Sequence, residues 1–293
     1  MYLRSILLHL RIPFSFLLMP IYLFALSISP NLLINQLLWS FIIIHLLVYP
    51  ASNAFNSYFD KDEKSIGLLK NPPPVNKGLY YTALVMDTVA VLLGYLQINL
   101  LFASMLLVYI LVSRAYSHPL IRLKKYPFTS WIVAGLFQGF FSFLMSYIGI
   151  NKFELENLWR SPVLTAGLLT SAMLWASYPM TQIYQHEEDA KHGDITLSIK
   201  LGIRGTFYFA MVFFSIASLG FFLYFSRFYE TTYGYAFLMA MSPVVLFFLA
   251  WFALVWKNES QADFNNTMRL NFISALCLNG FFFWLFLQIS HLG

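Results

Sequence analysis

Two short polar stretches break an otherwise oil-soluble chain. The first reads Asn53-Ala-Phe-Asn56-Ser-Tyr-Phe-Asp60-Lys-Asp62-Glu63, and the second Gln182-Ile-Tyr-Gln185-His-Glu187-Glu188-Asp189-Ala-Lys191. Carboxylates gathered this way point to a shared cation. Asn56 and Asp60 are four residues apart, which places both side chains on one face of a helix; Gln185 and Asp189 repeat that spacing, with Glu188 beside them. Oxygen donors alone, carboxylate and amide, suit Mg²⁺, which keeps several waters and takes one or two carboxylates plus substrate phosphates. The predicted cation donors are Asn56, Asp60, Asp62, Glu63, Gln185, Glu188 and Asp189. Two facing oxygen sites can clamp a diphosphate through metal ions, which neutralise charge developing on a departing pyrophosphate.

A third stretch, Tyr116-Ser-His-Pro-Leu-Ile-Arg122-Leu-Lys124-Lys125-Tyr-Pro127, brings the counter-charges. Arg122 suits bidentate contact with phosphate oxygens and Lys124 a point contact. Lys70 and Lys191 are further candidates for gripping the diphosphate. On this reading Asp60, Asp189, Arg122 and Lys124 carry the chemistry.

The elements that position these residues are membrane helices. The chain is 59% hydrophobic and 11% charged, against about 25% charged for a soluble domain; its mean hydropathy is +0.66. Nine apolar runs are long enough to cross a bilayer: 12–30, 34–56, 79–97, 99–116, 128–149, 161–183, 206–226, 233–256 and 270–290. The predicted fold is all-α, a polytopic bundle of nine transmembrane helices, with residues 1–293 as one integral-membrane domain, since no polar linker divides them. The first run lacks a small-residue cleavage site, so it reads as a retained helix. Cys277 is the lone cysteine, which excludes an intrachain disulfide.

These spans put fifteen of the eighteen Lys and Arg residues on one face and leave Lys152, Arg160 and Arg227 on the other. Basic residues stay in the cytoplasm, so the rich face is expected to be cytoplasmic, and both acidic stretches fall on it. The net charge of +5 is therefore a topology signal and excludes nucleic acid as the partner; the partner is the lipid bilayer. A bacterial inner membrane is the expected location.

Together these stretches resemble the UbiA superfamily of intramembrane prenyltransferases. Its first motif runs Asn-Asp-x-x-Asp-x-x-x-Asp; here Asn56 and Asp60 match, while Ser57 and Lys64 replace two aspartates. Its second runs Asp-x-x-x-Asp; Gln185 replaces the first aspartate and Asp189 matches the second. Gly193, Thr196-Leu197 and Leu201-Gly202 fit the tail after that motif. Tyr116, Arg122 and Lys124 fit the family's basic stretch, and Lys70 precedes Asn71-Pro72-Pro-Pro74 where the family has Arg-Pro-x-Pro. The resemblance implies nine helices, Mg²⁺ as cofactor, a polyprenyl diphosphate as donor and an aromatic or lipid-like hydrophobic acceptor. Asp62, Glu63, Glu187 and Glu188 can supply the missing charge, or can mark a divergent branch with another acceptor.

Other residues carry separate expectations. Asp87 lies inside the third run, where a carboxylate is a functional hypothesis by default; it can bond a neighbouring helix or touch an acceptor. His118 and His186 are expected to line the site as polar groups, and His45 to be packed and hydrogen-bonded. A transporter and a catalytically silent binder of the same fold are the competing classes. Against transport, the acidic groups cluster on one face and no interrupted-helix repeat is visible.

Overall fold

A computed structural model describes residues 2–289 of the chain. Nine long helical segments follow one another: α1 (Leu3–Ser27), α2 (Ile34–Asp60), α3 (Lys77–Gln97), α4 (Leu100–Ser117), α5 (Pro127–Asn151), α6 (Ser161–Gln182), α7 (Leu197–Phe228), α8 (Thr231–Lys257) and α9 (Phe264–Ile289). Eight of them are long and apolar enough to cross a membrane. The other, α6, carries Thr165, Thr170, Ser171, Ser177 and Thr181 and packs along α7 and α5. A more polar helix is tolerated in a bundle where protein surrounds it.

Several predicted starts move. α1 begins well before residue 12, as an amphipathic lead-in that turns at Arg11, whose backbone is left-handed at φ 46°. Ser5 and His9 of this lead-in bond the carbonyls of Pro74 and Pro73 at 2.8 and 2.7 Å, pinning the loop after α2. α7 also starts early, at Leu197, and is broken at Gly202, where φ 70° and ψ 171° interrupt the helix. The turn at Gln97–Asn99 is real: Asn99 caps α4 by accepting from the Phe102 N–H at 2.8 Å.

Two helices widen into π-type turns, Ile42–Val48 in α2 and Leu136–Phe141 in α5. Freed backbone groups there need partners, since lipid offers none. Ser15 donates to the His45 carbonyl at 2.6 Å. Ser171 donates to the Gly135 carbonyl at 2.8 Å and accepts from the Phe140 N–H at 2.9 Å. That insertion requires close approach: a Cβ on Gly139 would lie 2.6 Å from the Ser171 Cα. Elsewhere aromatic stacking joins the helices. Phe24 stacks on Phe282 at 4.5 Å and Phe221 on Phe237 at 4.5 Å, tying α1 to α9 and α7 to α8. Such contact packing holds helices together where no water remains to be expelled.

His45 is packed as expected, stacked on Phe41 and edge-on to Tyr22 and Tyr49. The expected hydrogen bonds are absent, however: neither ring nitrogen finds a partner among the described residues. Arg114 falls inside the predicted run 99–116. It lies in the last turns of α4, paired with Asp87 of α3, donating to the Ala51 carbonyl at 3.3 Å, its guanidinium 4.0 Å above the Phe55 ring. Asp87 is thus a helix-to-helix tie, and no residue of α3 lines the cavity described next.

Candidate active site

A cavity of about 630 Å³ opens among the helices, walled by every long helix except α3. Its two ends differ in chemistry. Asn56, Asp60, Asp62, Lys124, Gln185 and Asp189 gather at one end, and Phe137, Phe214, Phe221, Met241, Val244 and Phe248 line the rest.

The polar end is built from three chain segments. α2 ends at Asp60 because Lys61 turns left-handed, at φ 51°, and its last turns set Asn56 and Asp60 on one face. The Asn56 amide nitrogen donates to Asp60 Oδ2 at 2.8 Å and to Ser117 Oγ at 2.9 Å, tying α2 to the end of α4. The amide nitrogen, rather than the oxygen, therefore engages Asp60. After α6 the chain makes a turn and a short helix, His186–Lys191, in which the Asp189 N–H bonds the Gln185 carbonyl at 2.9 Å. The predicted four-residue relation of Gln185 and Asp189 survives although α6 does not continue through it. The third segment follows α4, where Arg122 adopts the left-handed conformation at φ 45°.

The segments meet in a charge cluster. Lys124 Nζ lies 2.6 Å from Asp60 Oδ1 and 3.4 Å from Asp194 Oδ2. Arg122 holds Asp194 through two donors, at 2.8 Å each, and approaches Asp60 Oδ1 at 3.5 Å. Asp60 and Asp194 are 3% and 2% exposed, so their charges need these cations. Asp194 escaped the sequence reading. Its signal was weak: one carboxylate between Gly193 and Thr196, inside a stretch read as a motif tail.

A second group sits beside it. Asp62, Glu188 and His192 bring ligand atoms within 4.8 Å of one another. Glu188 accepts from the Glu63 N–H at 3.4 Å and lies 3.4 Å from Lys191 Nζ. Burial pushes the Asp62 carboxyl up to about 6, reinforced by Asp60 and opposed by Lys124 and His192. Burial likewise pushes Asp189 up to about 7, with Asp194, Asp62 and Asp60 adding to the rise and Lys124 opposing it. Asp189 Oδ2 is buried and has no hydrogen-bond partner among the described residues. An excess of negative charge with an orphaned carboxylate oxygen fits a divalent cation.

Not every candidate reaches the cavity wall. Glu63, Lys70 and Lys191 are exposed, Glu188 stands beside Asp62 without lining the cavity, and Arg122, engaged by Asp194, touches the cluster at Asp60 but does not itself line the cavity. Glu187 points away and pairs with Lys64. His118 packs against Phe55 and Phe59, and His186 bonds Ser198 Oγ at 2.7 Å; neither lines the cavity as expected.

A membrane bundle with a long apolar cavity capped by carboxylates and cations defines a class of protein that handles amphiphiles with a charged head. The family model for the UbiA prenyltransferase family matches residues 16–274. The chain belongs to that family and is an integral, multi-pass membrane protein. A UbiA homologue from Archaeoglobus fulgidus bound to GPP and Mg²⁺ has a similar structure, with a TM-score of 0.68 at 17% identity over 96% of this chain and 99% of that one. The same homologue bound to DMAPP and Mg²⁺ gives 0.66 at 17%, over 98% and 100%. A solved digeranylgeranylglyceryl phosphate synthase gives 0.62 at 20%, over 97% and 99%. At these identities the likeness concerns the fold. No curated protein sequence matches the chain.

Proposed function

We propose that this protein transfers a prenyl group from a polyprenyl diphosphate to a hydrophobic acceptor, aromatic or lipid-like, at the cytoplasmic rim of the membrane. The observation that carries the reading is the two-ended cavity: an apolar shaft that fits an isoprenoid tail, ending at Asp60, Asp62, Lys124 and Asp189. The metal site is assigned to Asp60, Asp62, Gln185 and Asp189, with Asn56, Glu63 and Glu188 supporting it. Bound there, Mg²⁺ supplies charge neutralisation for the diphosphate oxygens.

The chain's own groups do the rest. Arg122 and Lys124 receive the diphosphate and hold it as the leaving group, with Lys70 and Lys191 as outer cations at the mouth. The prenyl C–O bond breaks with its electron pair going to pyrophosphate. The acceptor's electrons close the new bond to the allylic carbon, and the acceptor loses a proton. Walls such as Phe137 and Phe214 exclude water that would otherwise quench the allylic cation. Buried pairing keeps Arg122 and Lys124 fixed before substrate arrives, which lowers the reorganisation needed at the moment of ionisation.

The test is a comparison of lipid extracts from cells with and without the protein, alongside pyrophosphate release by purified protein given geranyl or geranylgeranyl diphosphate, Mg²⁺ and the lipid extract of the deletion cells as the source of acceptor. A prenylated lipid missing from the deletion and Mg²⁺-dependent release are expected. Unchanged lipids together with no release would leave the silent binder as the better account.

A further inference from the structure

Among the described residues, three acceptor-only side-chain oxygens are buried on cavity-lining residues without a hydrogen-bond partner: Asp60 Oδ1, Asp189 Oδ2 and Gln182 Oε1. Asp60 Oδ1 is answered by Lys124 Nζ at 2.6 Å. No donor answers Asp189 Oδ2 or Gln182 Oε1. The orphaned hydroxyls of the wall, Ser52 and Ser218, are a different case, because a hydroxyl both donates and accepts and can turn to a local carbonyl. An amide oxygen can only accept. Burying one without a partner costs free energy, and Gln182 is only 6% exposed.

The fold sets these two oxygens around one neighbour. Gln182 is the last residue of α6. Its carbonyl accepts from the Gln185 N–H at 2.9 Å, in the turn that leads to the short helix bearing Asp189. The Tyr178 hydroxyl is bonded to Tyr116 and has both Gln182 and Asp189 beside it. Gln185, at the motif position, turns its amide nitrogen to the Ser65 carbonyl at 3.4 Å. Gln182 lies three residues before that position and outside both motif spacings, so the motifs do not account for its orphaned oxygen.

We propose that Gln182 Oε1 is a further ligand of the divalent cation, paired with Asp189 Oδ2. Two acceptor-only oxygens beside one hydroxyl call for one electropositive partner, and a divalent cation satisfies both at once. An oxygen-only donor set of this kind suits Mg²⁺. The pair joins one carboxylate to one neutral amide where the motif joins two carboxylates, which leaves more of the cation's charge for diphosphate oxygens. The inference rests on the cation site assigned under the prenyltransferase reading, and its test needs no substrate.

The experiment uses the full chain in neutral detergent at about pH 8, where carboxylates are ionised, with Mn²⁺ as the probe. Mn²⁺ favours the same six-oxygen surroundings as Mg²⁺. Binding is read from the loss of the free-ion EPR signal in the wild type, Gln182→Leu, Gln182→Glu, Asp189→Asn and Tyr178→Phe. Loss of even an outer partner costs a metal site about 10–100-fold in affinity, so Gln182→Leu is expected to weaken Mn²⁺ binding at least about tenfold. Gln182→Glu keeps an oxygen there and adds charge, and should bind at least as tightly as the wild type. Tyr178→Phe removes the hydroxyl beside the amide and should bind as the wild type does. Wild-type affinity in Gln182→Leu overturns the ligand. Equal weakening in Gln182→Leu and Tyr178→Phe does so too, because Gln182 then acts only by holding the tyrosine. A weakened Gln182→Glu also overturns it, because the site then needs the amide N–H. Should Gln182→Leu fail to fold, Gln182→Glu decides. A wild type that binds no Mn²⁺, or whose binding survives Asp189→Asn, sinks the assigned cation site and this ligand with it; an intact Asp189 effect beside unaffected Gln182 variants sinks only the ligand.

Discussion

Arg122 grips Asp194 with both arms of its guanidinium, Nε and Nη2 each 2.8 Å from a carboxylate oxygen. Lys124 shares the same carboxylate at 3.4 Å. The cations assigned to the diphosphate thus hold a protein anion in its absence. Removing one partner of a buried pair leaves the others uncompensated. Asp194→Asn should therefore lower stability, on the order of 1–3 kcal/mol for a charged hydrogen bond left half-made. It should also free the two cations. Thermal unfolding with added pyrophosphate is the check: the anion should stabilise the variant more than the wild type. Equal stabilisation would mean that Asp194 does not compete with the substrate.

The pH dependence follows from Asp189 and Asp62, pushed up to about 7 and about 6 mainly by burial. Their carboxyls bind protons more tightly folded than unfolded, where such a group titrates near 3.9. Between about pH 4 and pH 7 the folded state therefore holds more protons, and stability without metal falls as pH rises through that window. Mg²⁺ reverses the trend by requiring the ionised forms. The Mg²⁺-induced rise in melting temperature should be larger at pH 8 than at pH 5.5, and Asp189→Asn should remove most of it. A rise independent of pH would place the cation elsewhere.

Helix positions were legible because hydropathy reports directly what lipid demands, and the three charged stretches were legible because few charges compete with them for attention. The helix starts were less so. The lead-ins before residue 12 and residue 206 are amphipathic, and apolarity alone does not register them. The partner of Arg122 was hidden for a different reason: Asp60 comes from α2, Arg122 follows α4 and Asp194 follows α6, and only tertiary packing converges them.

Asp87 and Arg114 form an ion pair inside the bundle, with side chains 9% and 13% exposed. The pair is away from the cavity, so its expected role is to lock α3 against α4. Asp87→Asn should cost about 3–5 kcal/mol, the usual result of stranding a buried charge, with turnover per folded molecule unchanged. The double variant Asp87→Leu, Arg114→Met should recover much of the loss. Unfolding in detergent and active-site-normalised rates separate the two effects. A drop in turnover without a drop in stability would restore Asp87 as a site residue.

The glutamates after α6 give a sharper test, because neighbours in sequence differ in placement. Glu188 is 5% exposed, accepts from the Glu63 N–H, and shares a 4.8 Å cluster with Asp62 and His192. Glu187, about 100° round the helix, is exposed and pairs with Lys64, a surface contact of little value. Gln185 stands where the family has Asp, so Glu188 is the residue that can make up the charge. Glu188→Gln should then be nearly as damaging as Asp189→Asn, each lowering Mg²⁺-dependent turnover at least about a hundredfold, the equivalent of a few kcal/mol of transition-state stabilisation. Glu187→Gln should be mild, and Gln185→Asp tolerated, with tighter Mg²⁺ binding. Turnover of the four variants on one prenyl diphosphate settles the order. If Glu187 were the more sensitive glutamate, the Glu188 compensation would be wrong; if neither mattered, the divergent motif would not be supplying charge at all.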